Sequence, residues 1–296
     1  MAELPQDNIR KKAAHSGDPF KENTYFKNAE PTMRLLWERL VWPTIKDSDF
    51  TCVVDLAAGH GRNSALLKDL TPHLYIVDIN RECIDACKAR FPDATNITYI
   101  VNDGATLTDI PTESVTLLYC FDAMVHFESD VVRQYLIEAF RILKPGGRAF
   151  LHHSNYTGNP GGDFRVNPHW RNFMSKELMA HYAIHAGLSV YSQQVIDWGW
   201  QIGPNWTITG YSDPQLDCIS VFEKPLDARY VEPPPNARPA TAFPMSAAPP
   251  MPPPNALADE SLSPALRVAK MAYHGLVPLR LRLRLRDLRQ NVLGGQ

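Results

Sequence analysis

Two glycines and two carboxylates in the first third of the chain have the spacing of an adenosine-binding site. Asp55 lies in the apolar run 51–57, and Gly59 and Gly61 follow in the next turn. Glycines at the carboxyl end of a strand let a ligand approach the backbone closely. Asp78 closes the next apolar run, about twenty residues on, where an acid accepts hydrogen bonds from ribose hydroxyls. The spacing therefore predicts a ligand that contains adenosine.

Two kinds of adenosine cofactor compete for this pattern. A nicotinamide dinucleotide favours a third glycine for its pyrophosphate, in the pattern G-x-G-x-x-G, but Ser64 stands at that position. The carboxylate of Asp55 is also unfavourable beside a phosphate. S-adenosylmethionine has no phosphate, and its ammonium and sulfonium groups tolerate nearby acids. The residues favour S-adenosylmethionine, and a nicotinamide oxidoreductase stays the weaker alternative.

Strand-like and helix-like segments alternate along the part of the chain that must position these residues. Apolar runs predict strands at 51–57, 73–78, 97–101, 115–121, 148–153, 188–196 and 216–223. Helical spacing predicts helices at 62–70, 80–90, 130–143 and 175–186. The alternation predicts right-handed βαβ units and an α/β, doubly wound, mostly parallel sheet.

The order of these motifs resembles the class I S-adenosylmethionine-dependent methyltransferases over roughly residues 25–224. The run 55–61 matches their first motif, although Ala57 replaces a glycine that many members have. Asp78, Asp103 and the runs 121–126 and 143–147 match later motifs. The resemblance implies a Rossmann-like sheet of seven strands, ordered 3-2-1-4-5-7-6, with strand seven antiparallel. It implies cofactor contacts from Asp55, Ala57, Gly59, Gly61, Asp78, Ile79, Asp103, Gly104 and Phe121.

Histidines near the ends of the fourth and fifth strands are the candidate general bases. A hydroxyl acceptor must lose a proton, and the neutral imidazole suits that task. Alternation along a strand sends His152 and His153 to opposite faces, and we expect His153 to face the cleft because it lies nearer the strand end. His126 is the second candidate, and Asp122 is predicted to orient a histidine or to contact the cofactor.

A polar, glycine-rich loop at 158–170 predicts the acceptor site. Its polar and aromatic residues, with their neighbours, are expected to bind a polyhydroxylated or anionic acceptor: Asn155, Arg165, His169, Trp170 and Arg171. A low-specificity resemblance of the run 152–156 to bacterial saccharide-modifying methyltransferases indicates a hydroxyl of a sugar or glycolipid. Methylation of a small amine is the alternative, and a non-catalytic adaptor that binds S-adenosylmethionine is the alternative from another class.

Several classes of partner are not expected. The catalytic part lacks an evident basic cluster and the Asn/Asp-Pro-Pro-aromatic motif of DNA amino-methylases, so no nucleic acid is expected. No carboxylate-rich cluster predicts a metal site, and five widely spaced cysteines are typical of reduced core thiols. The oligomeric state stays open.

Composition divides the chain into four predicted segments. Residues 1–24 are expected to be flexible, and residues 25–224 to form the methyltransferase domain, with Tyr25 and Phe26 covering the cofactor. Residues 225–256 are a linker rich in proline and alanine, and 257–296 combine an amphipathic helix with an Arg/Leu-rich tail. With no apparent signal peptide or membrane span, the chain is expected in the cytoplasm, with its basic tail at an anionic inner membrane surface.

Overall fold

A seven-stranded sheet forms the centre of the protein, for which a computed structural model describes residues 6–21, 24–203 and 208–230. Its strands are β1 (Val53–Leu56), β2 (Leu74–Asp78), β3 (Ile97–Val101), β4 (Val115–Cys120), β5 (Leu143–Ser154), β6 (Ser189–Ile202) and β7 (Ile208–Glu223). Their order is β3-β2-β1-β4-β5-β7-β6, and β7 is antiparallel to both neighbours. The predicted fold class is therefore confirmed. The predicted linker beyond Tyr230 and the basic tail lie outside the described residues.

Helices cover both faces of the sheet. The α-helices are α1 (Gln6–Gly17), α2 (Thr24–Ala29), α3 (Met33–Leu36), α4 (Trp42–Ile45), α5 (Ser64–Leu67), α6 (Arg81–Arg90), α7 (Ser129–Ile142) and α8 (Lys176–His185). A π-helical turn joins α3 to α4, and short 3₁₀ turns include Asp18–Phe20 and Met124–His126. Within the described ranges, no helix is long and apolar enough to cross a membrane.

The central strands carry apolar side chains on both faces because each face is covered. Val53 packs into the cluster that contains α3, while Val54 packs into the cluster that contains α7. All residues of β1, β2 and β4 are buried. This two-sided burial explains why these strands read as continuous apolar runs and why the sequence places them well.

Two strand regions differ from their predicted bounds. Strand β5 begins at Leu143, directly after α7. Its first residues are held by backbone hydrogen bonds from Gly146 N–H to the Lys224 carbonyl and from Lys224 N–H to the Gly147 carbonyl, and Lys224 directly follows β7. A Cβ at Gly147 would lie 2.9 Å from the Lys144 carbonyl oxygen, so only glycine fits this turn into the sheet. Strands β6 and β7 extend well beyond the predicted 188–196 and 216–223. Register shifts near Trp198 interrupt the alternation of apolar and polar residues along these strands, so the sequence pattern does not show their full length.

The N-terminal segment departs most from expectation. Residues 6–20 form α1 and a 3₁₀ turn, so the prediction of a flexible stretch over residues 1–24 is wrong for this part. Arg10 pairs with Asp103 at 2.8 Å, and Lys12 pairs with Asp130 at 2.5 Å. Ala13 is buried in the core. The apolar face of α1 is narrow among many polar residues, which is why composition alone indicated a loose segment.

Candidate active site

A cavity lies at the carboxyl ends of β1 to β4. Besides Tyr25 and Phe26, seven residues that the sequence predicted for the site lie in its wall: Ala57, Gly59, Asp78, Ile79, Gly104, Asp122 and His126. The N-terminal segment closes the other side with Ala13, Ser16, Gly17, Phe20, Tyr25 and Phe26. The site is therefore built by the sheet and by a segment that lies outside the βαβ pattern.

Asp78 joins the turn after β1 to the end of β2. Its carboxylate accepts hydrogen bonds from the backbone N–H of Gly59 at 2.9 Å and of Asn80 at 2.8 Å. Burial raises the pKa of Asp78 to about 6, while the backbone donors counteract part of that rise. Gly59 has a φ of 55°, and a Cβ there would overlap the Phe26 ring. Glycine is thus required where the N-terminal segment meets the loop.

Two predicted cofactor contacts lie behind the loop and not in the cavity wall. Asp55 accepts a hydrogen bond from Ser64 Oγ, and burial raises the pKa of Asp55 to about 7. At Gly61, a Cβ would meet Phe91 at 2.8 Å, so this glycine allows the loop to pack on α6. Both residues support the loop on the side away from the cavity wall, which corrects the prediction that they touch the cofactor.

Two further predicted contacts are also displaced from the cavity. Asp103 caps the turn after β3 by accepting from the backbone N–H of Ala105 and Thr106, and its second oxygen is bound by Arg10. Phe121 is buried and stacks on His152 with ring centroids 4.7 Å apart. Asp103 therefore anchors α1, and Phe121 belongs to the core.

Asp122 sits at the end of β4 in a buried charged cluster that the sequence did not predict. Its carboxylate accepts from Tyr25 Oη and from Arg62 at 2.8 Å, and both Arg62 and Asp122 are less than a tenth exposed. Burial alone would raise the pKa of Asp122, but the charges of Arg62 and Arg171 outweigh it and hold the pKa below its usual value. Asp122 stays ionised and fixes Tyr25 over the cavity.

His126, in the 3₁₀ turn after β4, lies in the cavity wall. Nδ1 lies 2.7 Å from the Trp170 carbonyl oxygen, which can only accept, so Nδ1 carries the proton. That tautomer leaves the lone pair of Nε2 available. Burial, together with the charge of Arg171, lowers the pKa of His126 to about 4, so the ring is neutral at physiological pH. The Phe20 ring lies 5.0 Å away, centroid to centroid.

His153 does not face the cavity, which contradicts the prediction from its place near the strand end. It is fully buried, with Nδ1 on the Ser154 carbonyl and Nε2 on Ser220 Oγ at 2.7 Å. His152 occupies the opposite face, as the alternation required: its Nδ1 accepts from the backbone N–H of Asp122, and Nε2 lies 3.1 Å from Asp217. Both nitrogens of each ring are therefore held by the fold.

None of the five predicted acceptor contacts lies in the cavity wall. Arg171 is buried and holds Asp217 through two hydrogen bonds, at 2.9 and 2.6 Å. Opening a buried pair of this kind would cost about 3–5 kcal/mol, which is more than a substrate contact returns. Arg171 therefore supports the fold and does not bind the acceptor.

The other four residues of this set are engaged elsewhere. Arg165 is exposed and pairs with Asp163, and His169 lies 2.9 Å from Asp213 on β7. Asn155 accepts from the backbone N–H of Lys176 at the start of α8. Trp170 is closest to the site, since its carbonyl orients His126 and its ring contacts Phe20. The polar side chains of these residues led to the prediction that they bind the acceptor, but contacts with other parts of the chain determine where they lie.

A model of the methyltransferase domain family matches residues 53–147, which span β1 to the start of β5 and include most of the cavity loops. Residues 53–147 therefore form a methyltransferase domain, and this chain is an S-adenosylmethionine-dependent methyltransferase. The identification agrees with the order of its sheet and with the sequence motifs. Its cofactor is S-adenosylmethionine.

Solved structures of methyltransferases are similar to this one at low sequence identity. An S-adenosylmethionine-dependent methyltransferase from Mesorhizobium loti is 17% identical, with 62% of this chain and 96% of that one covered and a TM-score of 0.48. Geranyl diphosphate C-methyltransferase from Streptomyces coelicolor is 12% identical, with 66% and 77% covered and a TM-score of 0.48. No curated protein matches the chain.

The residues of the cavity fit this cofactor. Asp78 offers a carboxylate in the cavity wall that can accept hydrogen bonds from a ribose diol. Ser16 Oγ is a buried polar atom with no hydrogen-bond partner. Among the described residues, no group of three or more His, Cys, Asp or Glu side chains is placed to hold a metal ion.

Proposed function

We propose that this methyltransferase methylates a hydroxyl group of a small acceptor and that His126 is the general base. The observation that carries the proposal is the hydrogen bond from His126 Nδ1 to the Trp170 carbonyl, which makes Nε2 the nitrogen that can accept a proton, on a residue that lines the cavity. S-adenosylmethionine, when bound, supplies the electrophilic methyl group and the sulfur leaving group. His126 replaces His153 in the role that the sequence suggested.

His126 acts as the acceptor oxygen becomes acidic. A pKa of about 4 makes the ring a weak base, but it keeps nearly every molecule ready to accept a proton at neutral pH. The hydroxyl proton passes to Nε2 while the new carbon–oxygen bond forms. Because the oxygen gains positive charge as it bonds to the methyl group, its proton becomes acidic enough for a weak base to accept. The resulting imidazolium is stabilised by the Trp170 carbonyl on Nδ1.

The lining of the cavity supports an acceptor with an apolar portion. Phe20, Phe26 and Phe127 lie in its wall, together with Tyr25. Among the predicted acceptors, a glycolipid joins a hydroxyl to apolar surface and suits this lining better than a free sugar does. Asp122 is neutralised by Arg62, so its charge gives no special attraction for a small amine.

The acceptor class is tested with labelled S-adenosylmethionine and three sets of compounds: alkyl glycosides, the matching free sugars, and small primary amines. Each buried methylene contributes about 0.8 kcal/mol, so two of them should raise kcat/KM of an alkyl glycoside roughly tenfold over its free sugar. Preferential methylation of an amine would contradict the hydroxyl proposal, and equal rates for glycoside and free sugar would contradict the apolar portion.

A further inference from the structure

We infer that Ser16, at the end of α1, binds the adenosine half of S-adenosylmethionine through its hydroxyl group. This inference rests on the proposed cofactor site and adds to it a residue outside the 53–147 match. The N-terminal segment would then belong to the cofactor site itself, in addition to covering it.

The Ser16 hydroxyl lacks a hydrogen-bond partner although it is buried, where a polar group normally has one. The residue is 2% exposed, and its Oγ is one of two buried side-chain polar atoms without a hydrogen bond among the described residues. A buried hydroxyl without a partner costs about 1–3 kcal/mol. Ser16 also lies in the cavity wall, so a ligand that fills the cavity can supply the missing partner.

The position of Ser16 indicates which half of the cofactor it meets. The neighbouring Gly17 lies directly on Ile79, where a Cβ would come within 2.8 Å of Ile79 Cγ2, and its carbonyl accepts from Asn80 Nδ2 at 2.9 Å. Both contacted residues come directly after Asp78, which is predicted to bind the ribose. Ser16 is therefore fixed beside the end of β2, while His126 and Asp122 lie after β4.

A neighbouring acid that the family resemblance predicted as a cofactor contact is already engaged. Asp103 accepts three hydrogen bonds within its own turn and one from Arg10 of α1. The same helix that occupies Asp103 brings Ser16 to the cavity. The helix thus replaces a carboxylate contact with a hydroxyl contact to the nucleoside.

The test is calorimetric binding of S-adenosylhomocysteine and of 5′-methylthioadenosine, which lacks the amino-acid portion, to the full chain. Ser16→Ala should weaken both ligands by about threefold to tenfold, the range for one neutral hydrogen bond. Ser16→Cys keeps the branching of the side chain with a slightly larger atom and offers only a weak donor, so it should weaken both as well. The thermal midpoint of ligand-free Ser16→Ala should not fall, because the lost hydroxyl has no partner.

Tyr99→Phe is the matched control, since Tyr99 Oη is the other buried unpaired atom and does not line the cavity. It should leave both affinities unchanged. Wild-type affinity in Ser16→Ala, or a loss for S-adenosylhomocysteine without a loss for 5′-methylthioadenosine, would overturn the inference while the cofactor site stands. Failure of the wild-type chain to bind either ligand would overturn the site and the inference together.

Discussion

Replacing Asp78 with alanine is expected to weaken S-adenosylhomocysteine binding at least a hundredfold. Of the three acids that the family motifs predicted as cofactor contacts, Asp55, Asp78 and Asp103, Asp78 is the one that lies in the cavity wall. Two hydrogen bonds from a ribose diol to a charged acceptor are together worth about 3–6 kcal/mol. The substitution also releases the backbone N–H groups of Gly59 and Asn80, so the turn after β1 loses its anchor.

Calorimetry on the full chain measures this effect, with the folded state checked by thermal unfolding. Asp78→Asn keeps the shape and one acceptor, and its affinity should fall between those of the wild type and Asp78→Ala. Asp85→Ala is the control, because Asp85 is 59% exposed on α6 and outside the cavity. Unchanged affinity in a folded Asp78→Ala variant would remove Asp78 from the site.

His126→Gln is expected to reduce kcat by about 10²–10⁴, the usual contribution of general acid–base catalysis, while cofactor affinity changes little. Glutamine fills a similar space but cannot accept the proton. A general base acts in its neutral form, so the wild-type rate should fall as the pH drops towards the pKa of His126 at about 4. Near neutral pH the rate should not depend on this group.

Single-turnover rates over pH, with S-adenosylhomocysteine affinity measured alongside, separate chemistry from binding. The acid limb near the His126 pKa should disappear in His126→Gln. His181→Gln is a surface control on α8, outside the cavity. An unchanged kcat in His126→Gln would refute the base assignment, and a parallel loss of cofactor affinity would assign His126 to binding instead.

The sheet could be predicted from sequence because local signals and buried runs determine it. Two-sided burial of β1, β2 and β4 gives long apolar runs, and their order follows from the family motifs. Asp78 and Gly59 lie in the cavity wall because a strand end and its turn determine their positions locally.

The displaced residues depend on contacts between distant parts of the chain. Asp103 is turned to α1 by Arg10, ninety-three positions away, and His153 is held by Ser220 on β7, sixty-seven positions away. Alternation correctly separated His152 from His153, but no local signal tells which face of β5 meets the cavity. The unpredicted pair of Arg62 and Asp122 has the same origin, since sixty residues separate its members.

The most direct test of the account is an experimental structure of this methyltransferase with S-adenosylhomocysteine bound. We expect the ribose hydroxyls within hydrogen-bonding distance of Asp78, the nucleoside beside Ser16 and Ile79, and the sulfur directed towards the side of the cavity that holds His126. A ligand bound away from Asp78, or a sulfur that points away from His126, would contradict the central claim that this cavity performs the methyl transfer.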